Sequence, residues 1–451
     1  PYQMSDRGPA VSIGDLNGDG KDDIFFGGAK YIPSQIYVQG DSTFYSKNYQ
    51  EIKKDSIKED IASIIGDFNL DGKNDLIVGT GGADFFNEMK PLTNSYYVSN
   101  DSVLTKKEFP ELFENASVIL KLDYDHDDDL DIIICNQSIS ADYGNKPNTY
   151  LLNNEKGNFK VASNTFKNLG MVTDAIVTDF NNDGWEDVLF VGEWMSPKFF
   201  QNNEGKFTEI LPLENKKTNG LWQAVTSFDI DGDGDQDYLL GNWGLNTKLK
   251  ATQDHPMKMF YGDLDKNGAT ETIVSTYKNG NDYPIDGLKE LSSQLVSLRK
   301  KFNTYKSFAG KPIEAILGEN MLPNAEVLEV HTLNSGYLQN NDGKFTFVPF
   351  SYELQLAPIM AFLEFDFNGD NRTEVLAAGN YFGVKPYHGR FDSFPGALIS
   401  TGNNITLANK IGLDLTGKSI RSMNILNVRK NKYILLTFNN EAAEIYSILK
   451  P

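Results

Sequence analysis

The chain has 451 residues and a formal net charge of −20, from 62 acidic against 42 basic side chains. That length fits one large repeat domain or about two to three ordinary ones, and the acidity argues against nucleic acid or anionic membrane surfaces as partners. The lone cysteine, Cys135, offers no disulfide framework or catalytic cysteine pair, and no apolar stretch approaches the roughly 18 residues of a transmembrane helix.

The first apolar run, 10–13, leads into Asp15-Leu-Asn17-Gly-Asp19-Gly20-Lys21-Asp22-Asp23, and a second run, 24–26, follows it. The same nonapeptide returns six times, with side-chain oxygens at positions 1, 3, 5 and 9. The second copy carries Asp67, Asn69, Asp71 and Asp75 around Lys73 at position 7, and the third Asp123, Asp125, Asp127 and Asp131 around Asp129. The fourth has Asp179, Asn181, Asp183 and Asp187 around Trp185, and the fifth Asp229, Asp231, Asp233 and Asp237 around Asp235. The sixth has Asp263, Asp265, Asn267 and Glu271 around Ala269, and the seventh Asp366, Asn368, Asp370 and Glu374 around Arg372. Four oxygen side chains plus the backbone carbonyl of position 7 form the ligand set of a hard cation such as Ca²⁺. In the first copy that carbonyl belongs to Lys21.

Position 6 calls for a residue tolerant of positive φ, and Gly20, Gly72, Gly184, Gly234 and Gly268 stand there. Asp128 and Asn371 replace glycine in the third and seventh copies. Asp, Asn and Gly also make ordinary tight turns. A bare turn, however, does not need a fixed array of like charges that would repel one another without a cation. Seven divalent ions would bring the formal charge from −20 to −6.

The runs flanking each loop (62–65 and 76–78, 172–177 and 188–191, 224–228 and 238–240) are short, apolar and β-branched, the pattern of buried strands. A second template interleaves with them. At 149–159, 198–207 and 336–345 a strand, an Asn-Asn turn closed by glycine and another strand follow one another, with Phe159, Phe207 and Phe345 after the turn. Looser copies start at Gln35, Ser95 and Leu398. The unit is therefore four antiparallel strands. Repeated around a ring, such units make an all-β propeller, and the expectation is seven blades, with eight as the alternative. The loops start at residues 15, 67, 123, 179, 229, 263 and 366, so the intervals of 34 and 103 residues break the rhythm. Within the long interval Leu288, Leu291, Leu295, Leu298 and Phe302 fall at helical spacing, which predicts a helical insertion over 280–330, packed down by its leucine stripe. Strands near 423–427, 433–436 and 444–446 predict a last, loop-free unit, which residues 1–10 would complete. The whole of 1–451 reads as one propeller domain.

With these loops the chain resembles the FG-GAP/VCBS repeat family, whose best-known member fold is the propeller of the α-integrins. Residues 14–28, 241–246 and 379–384 are similar to the bacterial branch related to cartilage acidic proteins (ASPIC/UnbV-like). The resemblance implies several structural Ca²⁺ ions, up to seven. It also implies export to an extracellular, outer-membrane or cell-surface location in a bacterium. The start at Pro1 points to processing or a longer parent chain, so peripheral or lipid-anchored attachment would lie in regions outside this chain.

Loops and Asn-Asn turns would share one face of such a ring. The other face collects Tyr31, Phe86, Tyr143, Trp194, Trp243, Tyr381, Phe382 and Tyr387, residue types that anchor interfaces and stack on sugars. The expected function is a binding or assembly module for a protein partner, with glycan binding as an alternative. A polysaccharide lyase is the less favoured reading. It would rest on His388 with Tyr387 and Arg390, with His331 a distant second, because His126 lies in a loop and His255 precedes a proline.

Overall fold

The computed structural model describes residues 7–448 apart from 42, 101–102, 164–165 and 214–216. The apolar runs beside each acidic nonapeptide pair antiparallel, which makes the nonapeptide the tip of a hairpin. The first three hairpins join Val11–Gly14 to Asp23–Phe26, Asp60–Gly66 to Asp75–Thr80, and Asn115–Leu122 to Asp131–Ser138. Met171–Thr178 with Asp187–Met195, Ala224–Ser227 with Tyr238–Gly241, and Ile359–Phe365 with Glu374–Gly379 repeat the arrangement.

A second hairpin completes each of the first six of these sheets in the order 1-2-3-4. Gln35–Gln39 and Phe44–Lys47 close the first sheet, Tyr150–Asn154 and Phe159–Ser163 the third, and Lys198–Asn202 and Phe207–Ile210 the fourth. The seventh sheet holds three described strands, Ile420–Val428, Asn431–Phe438 and Glu444–Ser447. Residues 7–10 form no strand beside it, and residues 1–6, expected to help complete it, lie outside the described residues.

Second strands such as Asp75–Thr80 and Asp187–Met195 are buried along their whole length. Both faces of a sheet are therefore covered, and the core is a series of layers between sheets. Phe25 and Ile36 of the first sheet meet Leu76 and Tyr97 of the second, and Ile133 and Leu151 of the third meet Val188 and Phe200 of the fourth. Leu426 and Leu435 of the seventh meet Ile24 of the first. The first strands of successive sheets pack side by side from the first to the seventh, and the seventh returns to the first. They line a cavity of about 290 Å³ to which Val11, Ser63, Val118, Thr173, Val225, Phe362 and Met423 contribute, one from each sheet.

The broken rhythm has a topological cause. The third strand of the fifth sheet is Gly336–Asn341, and an independent four-stranded sheet lies between it and the second strand. That inserted sheet orders Asn281–Pro284, Glu271–Lys278, Met257–Gly262 and Glu326–Val330, so the insertion starts before residue 280 and is not purely helical. The sixth acidic loop is its first hairpin tip. The leucine stripe is indeed packed down: Leu288, Leu291, Leu295, Leu298 and Phe302 cluster with Phe260, Leu264 and Ile273 of the inserted sheet. Among the described residues no helix is long and apolar enough to cross a membrane.

Candidate metal centres

Each nonapeptide winds around its first aspartate. Asp15 Oδ1 accepts from the amides of Gly18 at 2.7 Å and Asp19 at 3.1 Å, and its Oδ2 accepts from Gly20 at 2.7 Å. Asn17 then accepts from Asp19 at 2.9 Å, and Asp19 from Lys21 at 3.0 Å. The same ladder recurs from Asp67, Asp123, Asp179, Asp229, Asp263 and Asp366. It requires a left-handed residue at position 6. All seven copies have one, with φ of 84° at Gly72, 68° at Asp128 and 65° at Asn371. An extra Cβ at Gly72 would meet nothing within 4 Å, so glycine serves the backbone angle there and not a close contact.

The ladder gathers acceptors with few donors between them. Oxygens of Asp123, Asp125 and Asp127 lie within 4.8 Å of one another, as do those of Asp229, Asp231 and Asp237 and those of Asp263, Asp265 and Glu271. Position 9 is the most sequestered: Asp23, Asp75, Asp131, Asp187 and Asp237 are fully buried. Burial pushes the carboxyls of Asp23, Asp75 and Asp237 up to about 6 and those of Asp131 and Asp187 up to about 7, with the neighbouring loop carboxylates adding to the rise. Asp131 Oδ2 is buried without a hydrogen-bond partner. A buried carboxylate oxygen with no donor is costly unless a cation or proton compensates it. Carboxylate and amide oxygens gathered in one loop suit a hard divalent ion, so the donor set fits Ca²⁺.

The Asn-Asn turns do more than reverse the chain. Asn154 donates its backbone N–H to Asp131 Oδ1 at 2.7 Å. Its side chain closes the turn by accepting from Gly157 N at 2.7 Å. Its amide nitrogen reaches Leu130 O of its own loop at 3.0 Å and Phe68 O of the preceding loop at 2.7 Å. Asn202 repeats this, bonding Asp187 at 2.7 Å and Tyr124 O of the third loop at 2.8 Å. Ser99 bonds Asp75 and Leu16 O in the same way, and Gln39 bonds Asp23 and Asn427 O of the seventh sheet. These clasps were missed in the sequence, where the repeated Asn signalled only a turn. Loops three and four touch directly as well: His126 stacks on Trp185 at 3.8 Å, and Asp123 N donates to Glu186 at 2.8 Å.

The sixth loop stands apart from the other six. Its sheet emerges from the opposite ends of the strands, and Thr270 and Thr272 bond Asp142 and Tyr143 O in a connection there. The aromatic residues at that end separate into two groups. Trp194, Trp243 and Tyr381 are buried, with Trp243 packed on Phe391 at 5.3 Å, so they are core. Tyr31 and Phe86 are 70% and 51% exposed. Tyr387 is half-exposed, its hydroxyl donates to Ile285 O, and its ring lies 4.0 Å from that of His388. Arg390 lies over Phe382 at 3.9 Å.

The family model for an FG-GAP-like repeat matches residues 123–190 and 179–240, which span the third, fourth and fifth acidic loops. These segments are FG-GAP repeats. No curated protein matches the sequence. Among solved structures the chain is similar to the biofilm matrix protein Bap1 of V. cholerae, at 14% identity and a TM-score of 0.44, over 98% of this chain and 88% of that one. It is also similar to BBS1N in complex with ARL6DN, at 9% identity and TM-scores of 0.42 and 0.43, over 100% of this chain and 92–93% of that one.

Proposed function

We propose that the chain is a seven-bladed β-propeller whose acidic hairpin tips are clamped by Ca²⁺, and that it works outside the cell as a protein-binding or assembly module. The ring follows from the unbroken series of first-strand contacts and from the apolar layer joining the seventh sheet to the first. The inserted sheet, which has its own helices, is an appendage of the fifth blade. The calcium reading is carried by one observation above all: fully buried Asp131 leaves an oxygen without a donor inside an acidic loop.

The partner surface is the end away from the six ring loops. There Tyr31, Ile32, Phe86 and Met89 are exposed, and Lys30 lies over Phe85 at 4.8 Å while pairing with Asp84. Large apolar groups beside a few charges favour a protein partner over a highly hydroxylated one. At ~1 mM Ca²⁺ and a site Kd of ~0.1 mM, each ion stabilises the folded chain by about 1.4 kcal/mol. Melting with and without a chelator tests the reading. A fall of many degrees on chelation is expected, and an unchanged midpoint would overturn it.

A further inference from the structure

Loop three carries more negative charge than one ion balances. Asp123, Asp125, Asp127 and Asp131 supply the four side-chain ligand positions, and Asp129 stands at position 7, where Lys21, Lys73, Trp185, Ala269 and Arg372 stand elsewhere. A single divalent ion would leave those five carboxylates with a residual charge of −3, whereas the three ligand carboxylates of the second or fourth loop are left with −1. Two ions would bring loop three to the same −1.

The side chain of Asp129 is placed accordingly. It is only 5% exposed, its Oδ2 accepts from Lys156 N at 3.3 Å, and its Oδ1 is buried with no hydrogen-bond partner. Asp125 is anchored similarly: its Oδ2 accepts from Asn153 at 3.3 Å, and its carboxylate also meets the Tyr124 hydroxyl. Both carboxylates are tied to the Asn-Asn turn of the same sheet. Asp129 has no donor for its second oxygen, although burying such an oxygen bare is unfavourable. The one other loop with Asp at position 7 shows the same tension, since Asp235 contacts the Asp233 carboxylate and its Oδ1 is buried and unpartnered.

Resting on the calcium reading above, we propose that loop three holds two adjoining divalent cations, the second bound through the side chains of Asp129 and Asp125 beside the turn at residues 153–156. The backbone carbonyl of residue 129 serves the first ion and its carboxylate the second.

Counting bound Ca²⁺ by equilibrium dialysis at millimolar calcium tests this for the whole chain, Asp129→Asn and Asp123→Asn. Near-UV circular dichroism in the same buffer shows that each variant keeps its tertiary packing. Asp129→Asn is expected to lose one ion relative to the parent chain. Asp123→Asn, which removes the pivot of the loop, is expected to lose two. Equal losses of one ion from both variants would mean a single ion in loop three and would overturn the proposal while leaving the general calcium reading intact. An unchanged count for Asp129→Asn, with only a weaker affinity, would overturn it as well. A parent chain that binds no calcium would overturn both readings.

Discussion

Replacing Asn154 by alanine removes three bonds from a fully buried side chain: Nδ2 to Phe68 O at 2.7 Å, Nδ2 to Leu130 O at 3.0 Å, and Oδ1 from Gly157 N at 2.7 Å. At about 1 kcal/mol for each hydrogen bond left unmade in a buried setting, the loss is about 3 kcal/mol. The backbone N–H that holds Asp131 survives, so the loop keeps its ligands while its link to the second loop is cut. Asn158→Ala is the control, because that exposed side chain makes one local bond to Glu155 O and its removal should cost less than about 0.5 kcal/mol. Urea unfolding in saturating calcium, read as a midpoint shift at constant slope, measures both. A shift no larger for Asn154→Ala than for Asn158→Ala would show that the clasps do not join neighbouring loops.

Gly72→Ala should lower stability by about 1–2 kcal/mol from backbone strain alone, since φ is 84° and the space beside it is open, with Gly72→Asn milder; thermal melts in calcium decide it. In chelator, the chain should melt higher at pH 5 than at pH 8. The position-9 carboxyls titrate at about 6 to 7 when folded, above the ordinary carboxylate value, so their stabilising contribution is present in acid and lost as pH rises through that range. Saturating calcium, which holds these groups ionised, should reverse that order, and melts at the two pH values check both signs. Trp243→Ala should cost about 3–5 kcal/mol in urea unfolding, because the ring is core against Phe391 and Tyr381. Tyr31→Ala should stay within about 0.5 kcal/mol.

The sequence made the hairpins legible because two local signals coincide in them: apolar runs of strand length and an oxygen at every second loop position. Asp128 and Asn371 take the same left-handed angle as the glycines they replace, so even the degenerate loops obeyed the local rule. What lay beyond local pattern was connection. The sixth loop has the same nonapeptide as the rest, and only the pairing of Met257–Gly262 with Glu326–Val330 reveals that it belongs to an inserted sheet. The aromatic connections look alike along the chain, yet Trp243 is buried and Tyr31 exposed, a difference set by which neighbouring sheet covers each. The clasp role of Asn154 depends on Phe68, 86 residues earlier, and no spacing within one repeat encodes that contact.

The number of calcium ions taken up by the metal-stripped chain, measured by titration calorimetry at neutral pH, bears most directly on the account. Uptake of several ions per chain is predicted, with proton release when the titration is repeated near pH 6, where the buried position-9 carboxyls are partly protonated. A chain that folds fully and takes up no calcium would contradict it.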